Sequence, residues 1–499
     1  MNNKKTILLN ALTSVFQVIV TGGSLFLLYG FLLKKIGVDR LGIWSVVVAT
    51  TSLANVANLG FSGSVIKFVS KYLAREERGI ASRIVQTALV SVTLIVGIVF
   101  IAAYPIIGLI LKGVVPAGRL PEALMILPFT FVSLWVMLIA NVVQGSLDGH
   151  QRIYIRSSIQ MFGTLLYMTA CFVAVPHFGL KGLAACNIGQ SVFVLTASWL
   201  MLRKFMPSLP LIAYRWDKGL FKEMAGYGLN FQVITICNMF FDPVTKSLLT
   251  KFGGLHMTGY YEMANKMLIQ IRGIVFNANK VLVPAIANLQ ERQPEIIQGM
   301  YIKSYRLLLF MAVPIFTGVV ALAPVISRIW IGHYEQTFVF FVIMLAVGWF
   351  SNALLGPAFI SNLGMGRLKW NTASNIIMAG MNSVLGFLFG KYLGGSAVVA
   401  GWTVSLVTGS LVVIVSYHRI HKISFAELMP KESALMLLAS LGALTASGAF
   451  YRYEEKMSPA MLLMCVAFIF MAVMAMPVLR PPMRKSLFGW VSDGILNRR

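Results

Sequence analysis

Thr6 to Leu33 is a run of 28 residues without a charge, and about thirteen comparable apolar stretches follow, each bounded by a short polar connection. An α-helix rises about 1.5 Å per residue, so about 20 apolar residues cross a hydrocarbon core about 30 Å thick. The pattern predicts an all-α polytopic membrane protein with 14 transmembrane helices. The spans fall at 6–33, 41–66, 82–111, 121–147, 153–175, 180–202, 225–250, 258–289, 302–323, 337–362, 368–390, 395–417, 432–451 and 457–479. No connection exceeds about 25 residues, which leaves no room for a soluble catalytic domain on either face.

Charge gives the spans a direction. The chain carries 42 Lys+Arg against 17 Asp+Glu, a net charge of +25, while only 12% of residues are charged and 58% are hydrophobic. In a soluble protein such an excess would suggest nucleic acid. Here the bases lie between apolar runs, where they orient helices and meet anionic headgroups, so no nucleic-acid partner is expected. With the N-terminus placed in the cytoplasm, the cytoplasmic connections hold 27 bases and the opposite ones 11. That asymmetry predicts both termini inside. Lys4 and Lys5 before an apolar run imitate a signal peptide, but the run is longer than the 7–15 residues of a secretory core and reads as an uncleaved first span. The four cysteines lie in apolar spans without metal-ligand spacing, and no cofactor or metal is expected.

The chain also echoes itself. At an offset of 215, Phe16-Gln17-Val18-Ile19 recurs as Phe231-Gln232-Val233-Ile234, Arg152 meets Arg367, Gly179 meets Gly394 and Ala185 meets Ala400. At 217, Lys34, Gly37 and Gly42 meet Lys251, Gly254 and Gly259, with Trp44 opposite Tyr261. The matches fall at equivalent ends of equivalent spans. They predict a parallel repeat of two six-helix bundles, 1–205 and 225–420, joined by a cytoplasmic linker 206–224 and followed by helices 13–14 and a tail, 421–499.

Several motifs carry a family resemblance. After the first span, Lys34-Lys35-Ile36-Gly37-Val38-Asp39-Arg40-Leu41-Gly42-Ile43-Trp44 contains a Gly-x4-Gly-x-aromatic turn. Gly179-Leu180-Lys181-Gly182-Leu183-Ala184-Ala185 opens span six, and Asn362-Leu363-Gly364-Met365-Gly366-Arg367 precedes Asn382. In order and layout these resemble the multidrug/oligosaccharidyl-lipid/polysaccharide exporter superfamily, and 14 spans resemble its polysaccharide-transporter branch of O-antigen-type flippases. The second repeat departs from the pattern, reading Gly394-Gly395-Ser396-Ala397 where Gly-Ala-Ala is usual.

The resemblance implies two bundles in a V-shaped arrangement and a non-enzymatic carrier working by alternating access. Its cargo would be a polyprenyl-pyrophosphate-linked oligosaccharide, moved to the outer leaflet of a bacterial inner membrane for surface polysaccharide. Membrane lipids, a polysaccharide polymerase and glycosyltransferases are the implied neighbours. A lipid II-type flippase and an ion-coupled multidrug exporter of the same fold are the alternatives, and a membrane glycosyltransferase is a third reading that the short loops disfavour. The chain has no Gly-x4-Gly-Lys-Ser/Thr loop, so ATP hydrolysis is not its expected drive.

Charge inside a bilayer costs several kcal/mol and normally faces a cavity or a partner. Six charged residues lie within spans seven and eight: Asp242, Glu262, Lys246, Lys266, Arg272 and Lys280. Asn238, Asp242 and Lys246 share one face of span seven, while Glu262, Lys266, Gln270 and Asn277 form a stripe on span eight with Asn265 and Arg272 beside it. Gln17 on span one and Asn55 and Asn58 on span two extend the polar set through the repeat equivalents. The candidate headgroup-binding residues are therefore Lys246, Lys266, Arg272, Asn55, Asn58, Gln17, Asn238, Asn265 and Gln270, with Asp242 and Glu262 as candidates for ion coupling. A plainer alternative is mutual neutralisation of the i,i+4 pairs Asp242–Lys246 and Glu262–Lys266.

Overall fold

The computed structural model describes residues 3–54, 61–229, 232–280, 295–365, 367, 369–428, 431–451 and 458–479. The chain folds into helices α1 (Asn3–Ile36), α2 (Val38–Ser52), α3 (Phe61–Ala74), α4 (Arg78–Val114), α5 (Leu120–Gly149), α6 (Ile153–Phe205), α7 (Lys218–Leu229) and α8 (Gln232–Lys280). These are followed by α9 (Glu295–Ile331), α10 (Gln336–Leu354), α11 (Gly356–Gly364), α12 (Lys369–Leu393), α13 (Gly395–His421), the single turn α14 (Phe425–Leu428), α15 (Lys431–Phe450) and α16 (Pro459–Leu479). Among the described residues, eight helices are long and apolar enough to cross a membrane. The protein is a multi-pass membrane protein.

Eight is a number of helices, not of crossings. α6 has 53 residues, roughly 80 Å of helix, and turns back at Gly179, whose φ of 54° and ψ of −131° are non-helical. α8 has 49 residues and breaks in the same way at Gly254, with φ 81° and ψ 175°. It falls outside the eight because Asp242, Lys246, Lys251, Glu262, Lys266 and Arg272 dilute its apolar windows. The segment expected as span two is divided between α2 and α3, neither long enough alone.

The echo in the sequence extends to the backbone. Gly37, the equivalent of Gly254, has φ 81° and ψ 165° and ends α1. Gly394, the equivalent of Gly179, also has a positive φ, 92°. A side chain at these turns would be strained, which explains glycine at each.

Two compact units result, one of residues 1–262 with 390–395 and the other of 263–389 with 396–499. The division falls inside α8, after Glu262. In the first unit α5 and α6 pack most extensively, with α1 laid along α6 and both α3 and α4 against α5. Outward faces are apolar: Leu94, Ile98 and Ile101 form an exposed stripe on α4, as expected of a surface solvated by acyl chains. Ser64, Thr87, Ser146 and Ser198, in contrast, are buried between helices. Small hydroxyl residues permit close helix approach and bond across it.

α2 and the second arm of α8 cross within this unit with a reciprocal contact. A Cβ on Gly42 would run into the Leu255 carbonyl, and one on Gly259 into that of Val38. Gly42 and Gly259 are repeat equivalents, as are Val38 and Leu255. The crossing is thus locally two-fold symmetric, and its closeness depends on both glycines.

In the second unit α9 is the organising helix, packed against α10, α15 and α16. Ala321 and Val325 of α9 bury Leu462 and Val466 of α16, and the Tyr451 hydroxyl donates to the Ala321 carbonyl at 2.6 Å. The last two helices are therefore held by packing onto α9.

Gly42→Ala and Gly259→Ala should each destabilise by about 1–3 kcal/mol through overpacking against backbone, whereas Gly23→Ala, with nothing within 4 Å of its added methyl, should be neutral. Thermal unfolding of the detergent-solubilised protein checks the contrast; equal melting points for all three would contradict the reciprocal contact.

Candidate functional site

The turns at Gly37 and Gly254 place side chains as well as helices. Tyr29 lies eight residues before Gly37 and Ser45 eight after; Lys246 lies eight before Gly254 and Glu262 eight after. Eight residues is about two helical turns, or 12 Å, so each turn folds its two flanking positions back towards one another. The close crossing of α2 over α8 then brings both pairs together. Lys246 Nζ contacts Glu262 Oε2 at 2.6 Å and Asp242 Oδ2 at 2.7 Å. Tyr29 donates its hydroxyl to Glu262 Oε1 at 3.0 Å, and Ser45 donates to Glu262 Oε2 at 2.8 Å. Tyr261, itself fully buried, reaches Asp242 Oδ1 at 3.4 Å.

The two carboxylates differ in surroundings. The side chains of Lys246 and Glu262 are each 4% exposed, whereas that of Asp242 is 42% exposed. Glu262 accepts from three donors, Tyr29, Ser45 and Lys246. Lys246 and Glu262 make a neutral, hydrogen-bonded pair inside the protein, and Asp242 stands at the edge as the second acid. Burial of an ion pair is tolerable only with such satisfied geometry. The cross-helix bond from Lys246 to Glu262 joins the two arms of α8, beyond the within-helix pairing of Lys246 with Asp242.

A second cluster lies in the other unit, on the remainder of α8 and on α10. The Arg272 guanidinium sits 5.1 Å from the centre of the Trp349 ring and donates through Nε to Asn352 Oδ1 at 2.8 Å. Trp349 donates its indole N–H to Asn265 Oδ1 at 3.0 Å and packs edge-on against Trp402, with ring centres 5.4 Å apart. Asn265 and Arg272 are therefore brought together by one tryptophan. Lys266 and Gln270 are half-buried on the same arm of α8. Gln17 is half-buried on α1 in the first unit. Asn238 belongs to α8, its side chain outside the described part, and Asn55 and Asn58 lie outside the described residues.

Charge alone marks Lys246, Asp242 and Glu262 in the sequence, whereas Tyr29, Ser45 and Tyr261 carry none. A signal for two of these was present: at the offset of 217, Tyr29 is opposite Lys246 and Ser45 is opposite Glu262. Trp349, Asn352 and Trp402 carried no such mark.

Removing one partner of a buried ion pair strands the other, at a cost of about 3–5 kcal/mol. Lys246→Met should therefore lower stability by that order, because it strands Glu262 and leaves Asp242 beside it. Glu262→Gln should cost less, since Asp242 still faces Lys246. Melting points of the two purified variants check the order; a Glu262→Gln protein less stable than Lys246→Met would contradict it.

The fold has solved relatives. An inward-facing multidrug resistance MATE family transporter of the MOP superfamily superposes with a TM-score of 0.67 at 15% identity, over 82% of this chain and 99% of that one. The lipid II flippase MurJ in its inward closed conformation gives 0.72 at 14% identity, over 96% of this chain and 100% of that one. A MOP superfamily transporter from Pyrococcus furiosus, described as having a binding pocket of reverse polarity, gives 0.57 at 15% identity, over 85% of this chain and 96% of that one. At such identities the likeness establishes the MATE-like fold. No curated protein matches the sequence. The family model described as "Polysaccharide biosynthesis protein" matches residues 36–339, more than half of the chain. The chain belongs to the polysaccharide biosynthesis protein family.

Proposed function

We propose that the protein is a flippase that carries a polyprenyl-pyrophosphate-linked oligosaccharide from the cytoplasmic to the outer leaflet of a bacterial inner membrane, for surface polysaccharide synthesis. Its path has 14 spans, two repeated six-helix bundles and cytoplasmic termini, and it works by alternating access rather than catalysis. The family match is the observation that carries this reading, because it ties a MATE-like fold to polysaccharide synthesis. The likeness to a lipid II flippase over nearly the whole chain favours a lipid-linked cargo over a free small molecule and keeps a peptidoglycan precursor as the second reading.

The chemistry of the two clusters divides the work. A diphosphate needs cations, and a guanidinium grips it through paired donors where an ammonium supplies only a point charge. Arg272 is oriented by the Asn352 amide, which accepts from its Nε, and by the face of the Trp349 ring. It is the leading headgroup ligand, with Lys266, Asn265 and Gln270 on the same arm of α8. Lys246 serves instead as a latch. With cytoplasmic termini, Tyr29, Ser45, Lys246 and Glu262 lie towards the extracytoplasmic ends of their helices, so their junction closes that side of the first unit. Asp242, half-exposed at the junction's edge, is the better-placed of the two acids to exchange a proton or cation, and such exchange would loosen its share of Lys246.

A strain lacking this gene should accumulate the lipid-linked oligosaccharide on the inner leaflet and lose surface glycan. Restoration should be full with the wild-type gene, reduced about tenfold or more with Arg272→Gln, and intermediate with Arg272→Lys, at equal membrane abundance. Normal surface glycan in a null strain without a paralogue would refute the flippase reading.

A further inference from the structure

We infer that the first unit contains a separate seat for one neutral sugar ring, distinct from the charged clusters. A cavity of about 190 Å³ opens between α2, α5 and the second arm of α6, lined by Val48, Thr51, Ser52, Thr130, Ser133, Leu134, Met137, Asn187, Gln190 and Ser191. Seven of these ten residues are hydroxyls or amides, and none is charged. The volume equals about six liquid waters, enough for a single ring and too small for an oligosaccharide.

The repeat shows that the fold does not require this space. At the offset of 215, Leu134 is equivalent to Trp349 and Asn187 to Trp402. In the second unit these two indoles pack against each other at 5.4 Å, and Trp402 is 1% exposed. The positions filled by two tryptophans in one repeat therefore border an opening in the other. Seven hydroxyl and amide side chains border the opening, and aliphatic surface makes up most of what is exposed within it.

The lining is already ordered for a ligand. Ser133 donates to the Asn187 side-chain oxygen and lies 2.9 Å from Ser191 Oγ, while Thr51 and Thr130 meet at 3.1 Å. Among the described residues the Gln190 side chain makes no hydrogen bond, so its amide is available to a guest. Leu134, Val48 and Met137 supply apolar wall. A pyranose presents hydroxyls around its rim and C–H groups on its faces, and this combination of amide, hydroxyl and aliphatic surface fits it. A charged ligand would find no counter-charge here.

This inference rests on the flippase reading for its biological meaning, but its test does not. Saturation-transfer NMR on the purified full-length protein in nanodiscs, with methyl hexopyranosides and N-acetylhexosamines as probes and sorbitol as the acyclic control, reads binding directly. We expect transfer to at least one pyranoside, none to sorbitol, and loss of transfer of at least fivefold in Asn187→Trp, which imports the second unit's filling. Asn187→Ala, which removes the amide and leaves the space open, should lose a similar share and guards against a failure of Asn187→Trp to fold; unchanged melting points certify both. No pyranoside binding above sorbitol, or equal binding in wild type and in a folded variant, overturns the seat and assigns the space to water. Binding here with normal glycan in the null strain would leave the seat standing while refuting the flippase; a trapped intermediate without binding would do the reverse.

Discussion

A lysine ammonium withdrawn from water inside a membrane protein is tolerable only where carboxylates and hydroxyls replace its hydration, and the first unit is arranged around meeting that demand for Lys246. Its two contacts of 2.6 and 2.7 Å require Glu262 and Asp242 at once. Glu262 can arrive only because α8 breaks at Gly254, and it can be satisfied only because α1 and α2 deliver Tyr29 and Ser45 from either side of Gly37. That delivery needs the close crossing at Gly42 and Gly259. One buried charge thus fixes the reason for two positive-φ turns, one glycine-tight crossing and two hydroxyls.

Much of this is legible in the amino-acid sequence. The lengths of apolar runs give the class, and the recurrence of Gly37 as Gly254 and Gly179 as Gly394 gives the turns, because a positive φ is a demand that only a few residues meet. The charges of α8 mark the site by rarity alone. The partners of those charges are harder. Tyr29 and Ser45 are ordinary residues in apolar helices, and only their registration against Lys246 and Glu262 distinguishes them. Trp349 and Asn352 illustrate a different limit: their link to Arg272 spans about eighty residues and depends on how α10 is rotated, which no local pattern encodes.

The two halves matched by the sequence offset differ in a consistent direction. Where the second has Lys246 and Glu262, the first has Tyr29 and Ser45; where the second has Trp349 and Trp402, the first has Leu134 and Asn187 around an opening. At these positions the first half has hydroxyls, an amide and space, and the second has charge and aromatic filling. A symmetric arrangement, with cations in both halves, would be matched to a cargo with an anion at each end.

The proposed cargo, with one anionic joint and a train of neutral sugars, is not symmetric either, and the difference between the halves follows the same division. On the proposed reading, electrostatic grip comes from residues such as Arg272, whose strength in a low-dielectric setting is large and whose selectivity among sugars is nil. Discrimination between sugars has to come from uncharged groups, where an unmet hydroxyl or amide carries a desolvation penalty of about 1–3 kcal/mol. Separating the two tasks onto different repeats lets the neutral site change with the glycan while the charged one stays fixed to the diphosphate. Placing both on one helix would force every change in sugar specificity to disturb a buried charge, at the cost that the Lys246 junction makes plain.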